Sequence, residues 1–472
     1  MRFNSVEFLI FFAIIFLMLW GLIRHRKINK LVLLSASYLF YGWWDYRFLF
    51  LMFTSSLVDF LVGYHLPKSN HKKLLIGLSL TVNLGLLMFF KYFNFFIEAT
   101  ADLMNLIGLK PHYTTLSIIL PVGISFYTFQ TLSYSLDIYK GKIKPEKSFI
   151  NFLNFVSFFP QLVAGPIERA ATFLPQFRKD RVFNYDNAVQ GMRLLLYGFF
   201  KKMVIADNVS LRVDIIFANP ENFSSLELFF GGILFFIQLY TDFSGYTDIA
   251  RGCAKLLGFD LMRNFKVPQF STSIPEMWSK WHISLTTWFR DYFFIWLVGL
   301  NRKSTLWRII ATIILFVVIG FWHGANYTFL IFGLLNGIYF IPKILSRKNK
   351  KLRQLLARIN NHSVYSKLAM LFTLILSSTT VIFFRSQNIT EAGEYFRRML
   401  SFNHGLLSQF TLEVLPLCFG FFAFEWFMKE KSHPFEISAY HPILRKVMYV
   451  GLTISILLFG YFGEDPFYYF QF

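Results

Sequence analysis

The chain reads as an all-α polytopic membrane protein, and three observations carry that reading. Of 472 residues, 55% are hydrophobic, 20% aromatic and only 16% charged, too little polar surface to cover a soluble globule of this length. The mean hydropathy is +0.46. The apolar residues fall in runs at 8–23, 31–53, 57–66, 74–99, 116–136, 149–164, 188–206, 226–240, 293–300, 309–344, 368–384, 412–428 and 447–462. At about 20 residues per crossing, these make roughly 11 to 14 membrane helices and re-entrant elements. Finally, the cations behind the net charge of +20 are spread as short clusters between the runs rather than gathered into one basic face or tail. They read as topology signals and not as a nucleic-acid site.

Taken in order, the first run has only Arg2 before it and no small-residue cleavage site, so it is expected to stay as a transmembrane helix. Arg24-His25-Arg26-Lys27 follows it, Lys68 to Lys73 comes two crossings later, and Lys140 to Lys147 after two more. The positive-inside rule then places the amino terminus outside and these loops in the cytoplasm. Pro160, Gly165 and Pro166 break the end of the 149–164 run, freeing backbone groups that protein or a wet cavity must satisfy. Gln161 sits in that break, a candidate wall of a channel or funnel. The mixed basic and aromatic stretch 168–187 suggests short interfacial helices on the cytoplasmic face. No period of 20 to 50 residues and no low-complexity linker divides the chain. Residues 1–472 are therefore expected to form one integral membrane domain, with a catalytic core at about 115–345. Cys253 and Cys418 lie in no C-x-x-C pair and read as buried small hydrophobes.

The chemistry concentrates on two histidines. His323 is the only acidic or basic side chain between Arg308 and Lys343, and an ionisable group at membrane depth is costly enough to mark a functional site by default. It could be a core histidine bonded between helices, a metal ligand, or a general acid or base. No further ligand stands at i+4 or similar spacing, so no metal is expected. Low dielectric favours neutral imidazole, able to take a proton from a hydroxyl. His282 opens a polar-aromatic segment in which Thr286 and Arg290 follow one and two turns on, a spacing that can line one side of a helix. Lys280 and Arg290 could meet an anionic donor, or serve topology alone. Tyr240 to Asp248 sets Asp242, Asp248 and the three hydroxyls of Thr241, Ser244 and Thr247 directly after an apolar run. It suggests a polar re-entrant turn, with a paired-carboxylate site as the alternative.

These residues also form a recognisable ordered set. Phe321-Trp322-His323-Gly324-Ala325-Asn326, Trp281-His282 through Arg290-Asp291-Tyr292, and Gln161 to Arg169 together resemble the membrane-bound O-acyltransferase (MBOAT) family, in particular its alginate O-acetyltransferase branch. Leu39 to Trp44, Pro121 to Gln130, Gly198 to Lys202, Asp242 to Asp248, Phe384-Arg385 and the closing Pro466 to Phe472 agree in the same order. The likeness thus spans essentially the whole chain. One block departs: Trp296-Leu297-Val298-Gly299-Leu300 precedes Asn301-Arg302 where relatives commonly carry proline-leucine-glycine-glycine.

The resemblance implies helices ringed around a central funnel, with His323 catalytic and His282 a second essential position. Asn326, Trp281, Trp322, Arg290, Asp291, Lys280, Asp242 and Gln161 then become supporting or substrate-binding candidates. It implies acetyl-CoA or a related acyl thioester as donor, a cell-envelope polysaccharide as acceptor, and a periplasmic or membrane-anchored esterase-like acetyltransferase as partner. The expected location is the bacterial inner membrane. A D-alanyl transferase for teichoic acid and a transporter of polysaccharide or lipid-linked glycan are the rival readings.

Overall fold

The computed structural model describes residues 1–431, 433, 435–463 and 467–468, and for Asn360 and Asn361 the backbone alone. Every regular element among them is helical. Eight helices are long and apolar enough to cross a membrane: Phe48–His65, Lys72–Leu106, Ser225–Leu256, Thr305–His323, Tyr327–Leu345, Ser363–Arg385, Gln409–Met428 and Pro442–Phe459. Val6–Gly21 is a shorter apolar helix. Other apolar runs form shorter pieces, among them Arg26–Gly42, Ile124–Tyr139 and Phe149–Ser157. Against the roughly 11 to 14 membrane elements expected from hydropathy, eight helices among the described residues have the length and apolarity of a full crossing.

The chain divides into two compact units, one of Met1–Met192 with Ala250–Met262 and one of Arg193–Ile249 with Arg263–Phe472. In the first unit, Phe48–His65, Lys72–Leu87 and Ile124–Tyr139 pack on one another around the buried carboxylate of Asp59. Ser79 and Ser135 hydroxyls donate to it at 2.5 Å and the Asn83 amide at 2.6 Å. Each polar atom finds a partner inside the helix packing, as hydrocarbon surroundings require. The proline break also behaves as the backbone argument demands. The helix Phe149–Ser157 stops before Phe159–Leu162, and the freed Phe155 carbonyl accepts from the Gln130 amide at 2.6 Å and the Gln161 amide at 2.8 Å.

The second unit is built on an antiparallel pair, Thr305–His323 and Tyr327–Tyr339. Ser304 caps the first helix through the Trp307 N–H at 3.0 Å, and Asn326 caps the second by accepting from the Thr328 N–H at 3.0 Å. Glycines let the two backbones touch. A Cβ at Gly320 would lie 2.1 Å from the Phe329 carbonyl oxygen, and one at Gly333 would lie 2.2 Å from that of Phe316. Gly333→Leu should therefore force the pair apart and destabilise the protein by at least about 1–3 kcal/mol, the usual cost of overpacking. Thermal unfolding in detergent measures it, and an unchanged midpoint would contradict the packing.

Candidate active site

The helix Thr305–His323 ends at its histidine because Gly324 turns the chain into extended backbone and Asn326 restarts it. His323 is left 4% exposed, its ring 5.2 Å from Phe384, 4.9 Å from Trp322 and 6.3 Å from Phe332. It forms part of the wall of a small cavity of about 30 Å³. Trp278, Trp281, Phe332 and Phe384 supply the aromatic walls, Met277, Leu239 and Val381 the aliphatic ones, and Asn336, Ser377 and Thr380 the polar ones. His323 is the only titratable group among these lining residues.

His282 lies nearby, completely buried. Phe243 meets its ring edge-on at 4.7 Å, and Trp322 meets it at 6.1 Å. Trp322 thus packs against both imidazoles. His282 adopts the left-handed conformation at φ 41° and ψ 55°, where a non-glycine residue pays strain of order 1–3 kcal/mol. Asn264 straps that turn: its carbonyl accepts from the Ile283 N–H at 2.9 Å and its side-chain oxygen accepts from the Ser284 N–H at 3.1 Å. The imidazole Nδ1 is 3.5 Å from the Ser284 hydroxyl. Burial pushes the His282 imidazole down to about 3, so it is neutral at physiological pH and can accept or donate only as a neutral ring.

That depression has a measurable consequence. Unfolded, His282 takes up a proton as pH falls through its ordinary value near 6.5, whereas folded it does not until about 3. The unfolded state therefore binds more protons across that window, and stability falls as pH is lowered through it. The expected slope from this one group approaches about 1.4 kcal/mol per pH unit. His282→Asn, which tolerates the left-handed backbone, should flatten the loss of thermal midpoint between pH 6.5 and 4.5. Equal slopes for both proteins would refute the assignment.

The other residues nominated from sequence separate into those at the cavity and those away from it. Trp281 lines the cavity, and Trp322 bridges the histidines. Asn326 is a helix cap whose amide also donates to the Gln387 carbonyl at 2.5 Å. Lys280 pairs with Glu276 at 2.7 Å and Arg290 with Asp291 at 2.7 Å, and none of them lines the cavity. His282 precedes the helix Ile283–Phe289 as its left-handed cap, and Arg290, at the start of the π turn Arg290–Phe294, is 58% exposed. Gln161 belongs to the first unit and serves the helix break described above.

The re-entrant turn expected at 240–248 is corrected by the structure. That segment lies within the unbroken helix Ser225–Leu256. Its two carboxylates do not pair with each other: Asp242 binds Lys202 at 2.8 Å and Asp248 binds Lys201 at 2.6 Å. Neutralised by buried lysines, the polar residues can stay helical at depth. The departing block at 296–302 contains the short helix Ile295–Gly299, with the Trp307 indole N–H donating to the Leu297 carbonyl at 2.9 Å. Of the closing motif, Phe467 and Tyr468 are described, the Tyr468 N–H donating to Asp242 at 2.9 Å; Pro466 and residues 469–472 lie outside the described residues.

Trp278, Asn336, Ser377, Thr380 and the strap Asn264 were not singled out from sequence. Asn336, Ser377 and Thr380 carry one available signal, a small polar side chain inside an apolar run. Trp278 and Asn264 stand in polar surroundings, where nothing local sets them apart. Among the described residues no three His, Cys, Asp or Glu side chains gather as metal ligands.

Fold and site together define a multi-pass membrane protein with a buried histidine on the wall of an apolar cavity, beside a second, neutral histidine. The model of the membrane-bound O-acyltransferase family matches residues 145–387. The chain is 34% identical to the probable alginate O-acetylase AlgI of Pseudomonas putida, over 100% of both chains. It is also 34% identical to the peptidoglycan O-acetyltransferase of Helicobacter pylori, over 79% of this chain and 74% of that one. The teichoic acid D-alanyltransferase of Bacillus subtilis is 28% identical over 48% of this chain and 60% of its own. The chain belongs to the membrane-bound O-acyltransferase family, as an alginate O-acetyltransferase-like member, and is an O-acyltransferase.

Proposed function

We propose that the protein takes an acetyl group from a cytoplasmic thioester, acetyl-CoA in the simplest case. It would pass that group across the bacterial inner membrane to a hydroxyl of a cell-envelope polysaccharide, or to an esterase-like acetyltransferase on the periplasmic side that completes delivery. The observation that carries this reading is His323 on the wall of a cavity, where it is the one titratable group among the described lining residues. An imidazole there can act as a general base toward a bound hydroxyl.

In the reaction, the acceptor hydroxyl oxygen bonds to the thioester carbonyl carbon while His323 takes the hydroxyl proton. The C–S bond then breaks, and the thiol leaves with the proton that His323 returns. His323 is the catalytic residue of this scheme, His282 the second essential position, Trp322 packs between the two histidines and Trp281 lines the cavity. The fully buried His282 acts through Trp322, whose ring packs against both imidazoles. The topology signals in the sequence support an amino terminus outside and a donor arriving from the cytoplasm.

The test uses purified protein in vesicles supplied with acetyl-labelled coenzyme A outside and a polysaccharide or its acetyltransferase partner inside. Labelled ester should accumulate in the lumen. Transport of unmodified glycan with no label transferred would instead support the transporter reading.

A further inference from the structure

The first unit carries a basic cleft of its own, where the chain passes from its first apolar helix into the next. Arg26, Lys30, Lys179 and Arg181 line it, with Asp180 the one carboxylate among the described lining residues. We propose that this cleft is a binding site for the phosphate headgroup of an anionic phospholipid.

Helix geometry and one strapped arginine bring the cations together. On the helix Arg26–Gly42, the residues Arg26, Asn29, Lys30 and Leu33 all line the cleft, because spacings of three, four and seven put them on one face. Arg181 reaches that face from the loop after Ala170–Arg178. Its guanidinium donates to the Leu257 carbonyl at 3.0 Å and to the Asn29 side-chain oxygen, and lies 4.8 Å from the centre of the Phe259 ring. Asn29 is itself fixed: it is buried, and its amide donates to the Leu19 carbonyl at 2.5 Å.

Three of the four cations have no carboxylate partner among the described residues. Asp180 is taken by Arg26 at 2.7 Å. Glu146, which acts on Lys30 from farther off, is held by Arg178 at 2.6 Å. Lys30 donates to the Asn151 side-chain oxygen at 2.7 Å, and every partner of Arg181 is neutral. Burial pulls the Arg181 guanidinium down to about 10, so it has lost water yet keeps its charge at neutral pH. A partly desolvated cation with neutral partners gains from an incoming anion, and phosphate oxygens match the guanidinium fork.

The rest of the lining favours a lipid over a soluble phosphate. Ile23, Leu33 and Phe177 add an apolar wall beside the cations, which suits a glycerol and its acyl chains. Trp20, at the end of Val6–Gly21, donates its indole N–H to the Leu256 carbonyl at 2.9 Å, as expected of a tryptophan at a membrane–water interface. The charge pattern of the sequence assigns this face to the cytoplasm, and basic pockets between membrane helices on that side recognise anionic headgroups.

The experiment is native mass spectrometry of the purified full chain with phosphatidylglycerol, phosphatidylethanolamine or inorganic pyrophosphate. Wild type should retain phosphatidylglycerol at least about fivefold better than the zwitterionic lipid, the worth of one cation near a membrane surface. Lys179→Gln alters an exposed side chain with no ion pair, so the fold should stand while phosphatidylglycerol retention drops by about fivefold. Arg181→Gln should lower it by at least as much. Lys351→Gln, which removes an equal charge from the helix Lys350–Asn361, should leave it unchanged.

Equal retention of the two lipids by wild type overturns the proposal. So does a folded Lys179→Gln protein that holds phosphatidylglycerol as well as Lys351→Gln does. Pyrophosphate binding that is lost in Lys179→Gln, with no preference for phosphatidylglycerol, would assign the cleft to a soluble phosphate and overturn the lipid as its occupant. Each readout is binding, so the outcome is independent of acyl transfer.

Discussion

His323→Gln should lower acyl transfer by about 10² to 10⁴-fold, the usual worth of a positioned general base, while the protein remains folded. The expectation follows from the placement of the ring. It is buried at the end of its helix, packed by Phe384, Phe332 and Trp322, and is the one titratable lining group described in the cavity. Glutamine fills nearly the same volume and keeps hydrogen-bonding atoms, but it cannot take a proton from a hydroxyl. The effect should fall on kcat and leave KM for the thioester nearly unchanged, because a base that acts only in the transition state adds nothing to substrate binding. Transfer of labelled acetyl by detergent-purified protein, alongside a thermal midpoint within a few degrees of wild type, checks both halves. A variant with wild-type kcat would show that the proton goes elsewhere.

How far the sequence anticipates this site depends on whether a residue's partners are near it in the chain. His323 stands out because one ionisable group interrupts an apolar run from both sides, and hydropathy alone exposes it. The helical class is legible for the same reason, since burial in lipid leaves a long uniform signal. The break at Pro160 is legible because proline removes a donor wherever it stands. Asn326 lies in the right motif, yet its side chain caps a helix and holds Gln387, a use that local spacing does not separate from substrate binding. The Asp242 to Asp248 segment suggests a turn because its carboxylates look unpaid in hydrocarbon; the lysines that neutralise them come from a different helix. His282 stands outside the helix that leads to Arg290, as its left-handed cap, and no propensity marks that turn. The cavity walls Trp278, Asn336 and Ser377 meet only after three separate segments pack.

Lys201→Met should destabilise the protein by about 3–5 kcal/mol, the cost of leaving one partner of a buried ion pair uncompensated. Lys201 and Asp248 side chains are only 1% and 6% exposed and lie 2.6 Å apart. The Ser244 hydroxyl stands 3.0 Å from the same ammonium. The pair lies where two helices are pressed together: a Cβ at Gly198 would sit 2.8 Å from the Gly245 carbonyl oxygen, so neither chain can move aside to let water reach a stranded carboxylate. Lys201→Met with Asp248→Leu should recover most of the loss, since an apolar pair of similar volume pays no desolvation. A double variant no more stable than the single would mean that the ion pair stabilises in its own right. The same clamp fixes the helix Ser225–Leu256, which presents Phe236 and Leu239 to the His323 cavity and Phe243 to the His282 ring. Stability and acyl transfer should therefore fall together in Lys201→Met and return together in the double variant, measured by thermal unfolding and labelled acetyl transfer on the same preparations.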